Sequence, residues 1–393
     1  MYVSKKWQKM ANKTKINIVF IAVFVATITL PYVFAHRDTS TRVSDEENRE
    51  LAVYPVLYDR ENGWNTSYID DFDDWINDNL RGRTELVKIN STLQYELFHR
   101  IVRNNLTAGK NNWLFGKNDE LLAEYQHTNL LSDDQLGEFS GNMQEFSDYL
   151  ERHGISFYYM QCYDKESIYP DEYISGVKQT GSISRADQVV TELEDNTNIN
   201  VIDIKDDLKE HAKTEQVYFK YADTHWNDCG AFVGYQDLMY RIQNDYPQIK
   251  VLEKSDYDIS EMEQSITLYG YQYPYVDTTP KYSVKNPGAI EITDEIKKDW
   301  PDVHVQDFIH EFVNDSCGNS LKILVVGDSY IRQFLKDDIA ESFSDTLNID
   351  WSNLDNLDSV IARFQPDIVV LENTEYSAGN IIDYVNQMQF TGE

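Results

Sequence analysis

Leu321-Lys322-Ile323-Leu324-Val325-Val326-Gly327-Asp328-Ser329 is an apolar run closed by a turn signal. Five of its first six residues are apolar, without the alternation of a half-solvated strand, so it reads as a strand covered on both faces. Such strands belong to parallel sheets packed between helices. Gly, Asp and Ser then favour a turn, and helical spacing resumes over 331–343. Ser329 therefore falls at a strand-to-helix turn, at the carboxyl end of a strand, where open α/β sheets place ligands. Its backbone N–H falls at a helix start, where negative charge is favoured.

The flanking sequence supports the same architecture. Downstream, the pattern predicts strand 347–351, helix 356–364, strand 367–372 and helix 380–388. Upstream, Ser132 with Gln135 forms a capping-box pattern before Leu136, Phe139, Met143, Phe146 and Leu150, and Gly154 ends that helix. Strand 155–160, helix 189–193, strand 199–204 and helix 231–242 follow. Alternating helices and strands predict an α/β fold with a parallel sheet flanked by helices. Earlier still, Ile69, Phe72, Trp75, Ile76 and Leu80 have helical spacing, as do Leu86, Ile89, Leu93, Leu97 and Ile101, with Arg81-Gly82-Arg83 between the two sets. Trp113-Leu114-Phe115 reads as a short strand. Residues 255–300, rich in Tyr, Thr, Pro and acids without a clear period, read as an insertion of loops and short strands near the site.

A second motif, Asp223-Thr224-His225-Trp226, gives Ser329 its meaning. Asp223 and His225 are two apart, so in extended backbone both side chains point to one side. A serine, an imidazole and a carboxylate are the groups that activate a hydroxyl for acyl transfer. Gly-Asp-Ser alone is common in turns, and a structural histidine beside a carboxylate is ordinary; it is the joint context that makes Ser329, His225 and Asp223 the candidate catalytic set. Trp226 could shield such a site from water.

Composition bounds the surroundings. The chain has 393 residues and a net charge of −32. Five of its 35 bases, Lys5, Lys6, Lys9, Lys13 and Lys15, precede residue 16; the remainder carries 30 bases against 67 acids, a net of −37. That field disfavours nucleic acid and anionic membrane surfaces as partners. Ile16 to Ala35 is a mostly apolar, uncharged stretch long enough to cross a bilayer as a helix, and the preceding lysines would keep the short tail in the cytoplasm. A cleavable signal peptide ending at Val33-Phe34-Ala35 is the competing reading; the length of the stretch favours an uncleaved anchor. The expected division is a cytoplasmic tail 1–15, a transmembrane anchor 16–35, a polar tether 36–62 and one catalytic domain 63–393. Cys162, Cys229 and Cys317 form no CxxC pattern, and one bridge is possible. No metal-ligand spacing occurs among the histidines, so neither a metal nor a cofactor is expected. Asp70, Asp71, Asp73 and Asp74 resemble a calcium loop at a glance, yet around Phe72 and Trp75 they read as the solvated face of a helix. Tyr269, Tyr271, Tyr273 and Tyr275 alternate as on one face of a hairpin.

The motifs together resemble the SGNH-hydrolase-like polysaccharide O-acetyltransferases of the AlgX/AlgJ type and their DHHW relatives. The matching pieces, in order, are Glu47 to Ala52 with Pro55; Asp78 with Arg83; Gly109-Lys110 with Trp113-Leu114-Phe115; Lys165 with Tyr169-Pro170; Asp223-Thr224-His225-Trp226 with Gly230-Ala231-Phe232; Gly327-Asp328-Ser329-Tyr330; and Pro366-Asp367 with Glu372. In that family the residues matching Asp223, His225 and Ser329 form the triad, with Asp and His preceding Ser. Tyr330 stands where relatives often have Phe, and Tyr376 where many have Arg. The usual SGNH oxyanion donors, a Gly and an Asn, have no counterpart that can be placed; only the Ser329 N–H is assigned. The resemblance implies an extracytoplasmic transferase, held at the cell membrane by its single anchor, that moves an acetyl group to a polysaccharide hydroxyl through an acetyl-serine. It further implies a multi-span membrane acyltransferase as the partner supplying the acetyl group. An acetyl esterase using the same triad is the runner-up, and a non-catalytic glycan-binding scaffold of an export complex the third reading.

Overall fold

The computed structural model describes residues 14–27, 29, 42–44, 49–60, 63–80, 82–102, 105–268, 271–296, 300, 303–304, 308–386 and 388. The chain divides into two compact units, residues 1–103 with 267–273 and residues 104–266 with 274–393.

In the first unit residues 14–27 are helical. Among the described residues, no helix is long and apolar enough to cross a membrane. Residues 1–13, residues 28 and 30–35 of the expected anchor, and most of the tether before residue 49 lie outside the described residues. Two helices follow, α1 (Tyr68–Asn79) and α2 (Arg83–Phe98); Arg81 between them lies outside the described residues. Asp70, Asp73 and Asp74 are exposed on α1, and Asp71 accepts a 2.8 Å hydrogen bond from Asn65. On α2 the apolar stripe has the expected period but the opposite phase: Leu86, Ile89, Leu93 and Leu97 are each at least half exposed, while Ser91 and Tyr95 face inward. Among the described residues of the tyrosine-rich segment, Thr267–Leu268 pairs antiparallel with Tyr271–Gln272. Tyr273 is instead buried edge-on against Tyr95, with ring centroids 5.0 Å apart. Tyr269 lies outside the described residues.

The second unit is built on seven strands. In chain order its main elements are α3 (Asp133–Arg152), β1 (Ser156–Cys162), α4 (Arg185–Asn196), β2 (Asn200–Asp203), α5 (Asp228–Asp245), β3 (Tyr257–Gln264), β4 (Asp277–Val284), β5 (Ile290–Glu291), β6 (His310–Val313), β7 (Lys322–Gly327), β8 (Asp345–Asp350), α6 (Leu357–Phe364), β9 (Ile368–Thr374) and α7 (Ala378–Val385). The sheet order is β5-β6-β8-β7-β9-β1-β2. Strands β8, β7, β9, β1 and β2 are parallel. The sheet is nevertheless mixed, not wholly parallel as expected, because β6 and β5 add an antiparallel edge. These two strands, of four and two residues, are too short to show a period.

Side-chain alternation sorts the parallel strands into two cores. Tyr158, Met160, Ile323, Val325, Ile368 and Val370 pack on one face with Leu238, Met239 and Ile242 of α5. Phe157, Tyr159, Leu324, Val326, Val369 and Leu371 pack on the other with Phe139, Met143 and Phe146 of α3 and Val360 and Ile361 of α6. Ile323 to Val326 are fully buried, at roughly 1.5–3 kcal/mol of burial for each side chain. The chain leaves β7 to one side for β8, then returns across it to β9 on the other. This reversal makes the carboxyl end of β7 the switch point of the sheet, the place where such sheets bind ligands.

Other expectations shift. The Ser132–Gln135 capping box forms. The helix expected over 331–343 is a segment over 329–340 that widens into a π turn at Ile331–Leu335 before regular Lys336–Ala340. The region read as loops and short strands carries a regular eight-residue antiparallel ribbon, β3 with β4, pairing Tyr257 with Val284 and Gln264 with Asp277. All three cysteines are free thiols, with Cys162 and Cys229 buried.

Candidate active site

Ser329 follows β7 after a single residue, Asp328, and its turn is fixed from below by two carboxyl groups. The Asp328 N–H donates to Glu372 Oε2 at 3.0 Å, and the Tyr330 N–H donates to Asp328 Oδ1 at 2.8 Å. Glu372 comes from β9 and is fully buried. Burial pushes its carboxyl well above the usual range, and the neighbouring Asp328 charge adds to the shift. Burial likewise raises Asp328. The turn hides two acids beneath a half-buried serine whose Oγ faces His225.

The loop carrying Asp223 and His225 is tied at its base. Phe219 N–H donates to the His225 carbonyl at 3.2 Å, and Asn227 N–H to the Val217 carbonyl at 3.1 Å. Immediately after Trp226, Asn227 caps α5: its Oδ1 accepts from Cys229 N–H at 2.9 Å and Gly230 N–H at 3.2 Å. Gly230 is needed here, because a Cβ would lie 2.1 Å from the Val217 carbonyl oxygen.

Folding brings the two motifs together. His225 Nε2 stands 2.8 Å from Ser329 Oγ, and His225 Nδ1 stands 2.7 Å from Asp223 Oδ1. The same carboxylate oxygen accepts from the backbone N–H of Thr224 at 2.6 Å and of His225 at 3.1 Å. Burial opposes the Asp223 charge, but these hydrogen bonds and the imidazole beside it hold its pKa below the usual carboxylate value. All three side chains remain partly accessible. The Tyr330 and Phe334 rings flank the imidazole, with centroids 5.1 and 5.7 Å away. Trp226, read as a shield over the site, is instead fully buried, edge-on to Tyr330; it floors the loop.

Two residues with no role in the sequence reading converge on this loop. Asp277, at the start of β4, accepts from the N–H groups of Lys220 at 2.8 Å, Tyr221 at 2.6 Å and Ala222 at 2.6 Å, and from Gln216 Nε2 at 3.1 Å. Lys165, 1% exposed, donates from Nζ to the carbonyls of Leu114 at 2.7 Å and Asp223 at 2.5 Å. Burial lowers the Lys165 ammonium to about 8, against the pull of Glu166, Asp277 and Asp223. In the sequence Lys165 is marked only by its place in the motif with Tyr169-Pro170. Asp277, a single acid in an aperiodic stretch, carries no local signal.

Beyond Lys165 lies a buried acidic group, Glu124, Asp164, Glu166 and Glu375, with Arg185 paired to Glu124 and bonded to Glu120 at 2.7 Å. Burial raises Glu124 and Glu166 to about 7 each. Among the described residues, no group of His, Cys, Asp or Glu is arranged to hold a metal ion.

A model of the family described as "SGNH hydrolase-like domain, acetyltransferase AlgX" matches residues 106–336, 231 of the 393 residues. No curated protein matches the sequence. Among solved structures, Bacillus cereus PatB1 is similar at 16% identity and a TM-score of 0.52, covering 69% of this chain and 96% of that one. PatB1 with a sulfonyl adduct gives 16% identity and 0.53, over 74% and 99% of the two chains. A DHHW family protein from Eubacterium siraeum gives 14% identity and 0.50, over 74% and 98%. At these identities the likeness concerns the fold.

Proposed function

The chain belongs to the family of SGNH hydrolase-like, AlgX-type acetyltransferase domains, and from that premise we propose that it is an extracytoplasmic O-acetyltransferase acting on a cell-surface or exported polysaccharide. The observation that carries the reading is the continuous relay from Asp223 Oδ1 through His225 Nδ1 and Nε2 to Ser329 Oγ, at 2.7 and 2.8 Å.

In the proposed reaction Ser329 Oγ attacks the acetyl carbonyl as its proton passes to His225 Nε2. The oxygen that becomes negative is met by the Ser329 N–H at the start of the helical segment 329–340. Asp223, its pKa held low, keeps the Nδ1–H tautomer and balances the imidazolium charge. The donor oxygen leaves with the proton from Nε2, and acetyl-Ser329 remains. A sugar hydroxyl then attacks that carbonyl, giving its proton to Nε2. The acetyl–Oγ bond breaks and the proton returns to Ser329.

The remaining parts of the reading follow from the sequence. The five early lysines and the apolar stretch 16–35 support a single-pass anchor with the catalytic part, residues 63–393, outside the cytoplasm. A membrane acyltransferase would then supply the acetyl group across the bilayer. The deciding experiment incubates the purified chain with an activated acetyl ester, with and without oligosaccharide. Acetylated sugar that disappears with Ser329→Ala supports transfer. Acetate alone, unaffected by sugar, favours an esterase. No reaction and no Ser329 labelling by a serine-directed probe would leave a glycan-binding scaffold.

A further inference from the structure

The aspartate–histidine loop has no regular secondary structure between Lys220 and Asp223, and what shapes it comes from outside it. On one side the Asp277 carboxylate, 2% exposed, gathers three consecutive backbone N–H groups. On the other, the Lys165 ammonium bridges the Asp223 carbonyl to the Leu114 carbonyl. Leu114 closes the circuit, since its N–H donates to the Lys220 carbonyl at 2.9 Å. Three N–H groups and two carbonyls of this stretch are thus drawn to a buried charge or to a neighbouring strand. Charge-assisted hydrogen bonds of this kind are about twice as strong as neutral ones, and three donors on one carboxylate fix the path of the backbone.

Resting on the triad reading above, we infer that Asp277 and Lys165 are positioning residues that set the Asp223–His225 geometry from opposite sides of the loop. They touch no reacting atom. Asp277 fixes where residues 220–222 run, and Lys165 fixes the plane of the peptide that follows Asp223. Together these determine whether Oδ1 meets Nδ1 while Nε2 meets Ser329. Removing either should leave the sheet and both cores intact while letting the imidazole drift, and a displacement of about 1 Å costs on the order of 10²-fold in such reactions.

The test compares Asp277→Asn and Lys165→Met with a control, Glu341→Gln. Glu341 clamps another loop in the same fashion, accepting from Gly288 N–H at 2.8 Å and Ala289 N–H at 3.2 Å. Three readouts are taken on the full chain: melting temperature, the downfield proton NMR signal of the His225 Nδ1–H, and the rate of Ser329 sulfonylation by a sulfonyl fluoride. In that labelling the Oγ–S bond forms, fluoride leaves and the proton passes to His225. Expected are folded D277N and K165M proteins whose Nδ1–H signal is shifted or lost and whose labelling slows about 10- to 100-fold, while E341Q keeps wild-type signal and rate. Wild-type signal and rate in folded D277N and K165M would overturn the inference; should one variant fail to fold, the other decides. If the wild-type chain itself is not labelled, the proposed function fails, yet the NMR signal still reports whether Asp277 and Lys165 hold the ring.

Discussion

Gly327 lies so close to Glu372 that a Cβ at this position would stand 2.7 Å from Glu372 Oε2. The contact places a buried carboxyl directly under the turn that presents Ser329, with the Asp328 N–H as its hydrogen-bond donor. Gly327→Ala must push Glu372 aside and lose that bond, at about 1–3 kcal/mol for the overpacking. The melting temperature and the rate of serine labelling should both fall. Because burial already biases Glu372 toward its neutral form, Glu372→Gln should be nearly silent by both measures. An unchanged Gly327→Ala protein would show that the turn does not depend on this contact.

Substitutions in the triad should separate by role. Ser329→Ala removes the proposed nucleophile and should abolish the proposed acetyl transfer. His225→Ala should lower turnover by about 10²–10⁴. Asp223→Asn should lose on the order of 10⁴ through the wrong tautomer, with circular dichroism unchanged in all three. Turnover within twofold of wild type in Ser329→Ala would exclude acetyl-serine chemistry.

Stability should depend on pH through the buried acids. Glu124 and Glu166 titrate at about 7 in the folded chain, against 4.5 ordinarily. Between those values the folded protein holds protons that the unfolded chain has released, so their contribution is complete below 4.5 and is lost as pH rises through 7. The melting temperature should therefore drop between pH 5 and pH 8. Glu124→Gln with Glu166→Gln should flatten that slope; an unaltered slope would trace it to other groups. Asp223, held below its ordinary 3.8, works in the opposite direction only at lower pH.

Asn227 joins the loop to α5, accepting from two N–H groups and donating to the Gln216 carbonyl at 2.7 Å. Asn227→Ala should destabilise by about 0.5–2 kcal/mol for the lost cap, measured by denaturant titration. The labelling rate of Ser329 should fall with it, since the helix start fixes where the loop returns.

Much of this arrangement was legible from residues alone. The apolar run 321–326, interrupted by Lys322 alone, announced a strand covered on both faces, and it lies at the centre of the sheet. Asp223, His225 and Ser329 announced themselves by type, spacing and position at element ends. What stayed hidden was set by distant contacts. Asp277 binds backbone that lies about 55 residues earlier, and nothing around it marks one acid among many. The antiparallel edge rests on β5 and β6, too short for periodicity to register. On α2 the period of Leu86, Ile89, Leu93 and Leu97 was right, but period identifies a face without saying what covers it.

The ribbon formed by β3 and β4 lies in sequence between the histidine and the serine, and it looks dispensable because it contributes nothing to the seven-stranded sheet. Its first residue on the returning strand, Asp277, says otherwise. Trimming the segment between Tyr257 and Val284 would leave the serine, the imidazole and Asp223 encoded, yet would take away the carboxylate beneath Lys220 to Ala222. A shortened relative of this kind would serve as a natural experiment: a folded sheet whose serine reacts slowly for want of a part that never touches it.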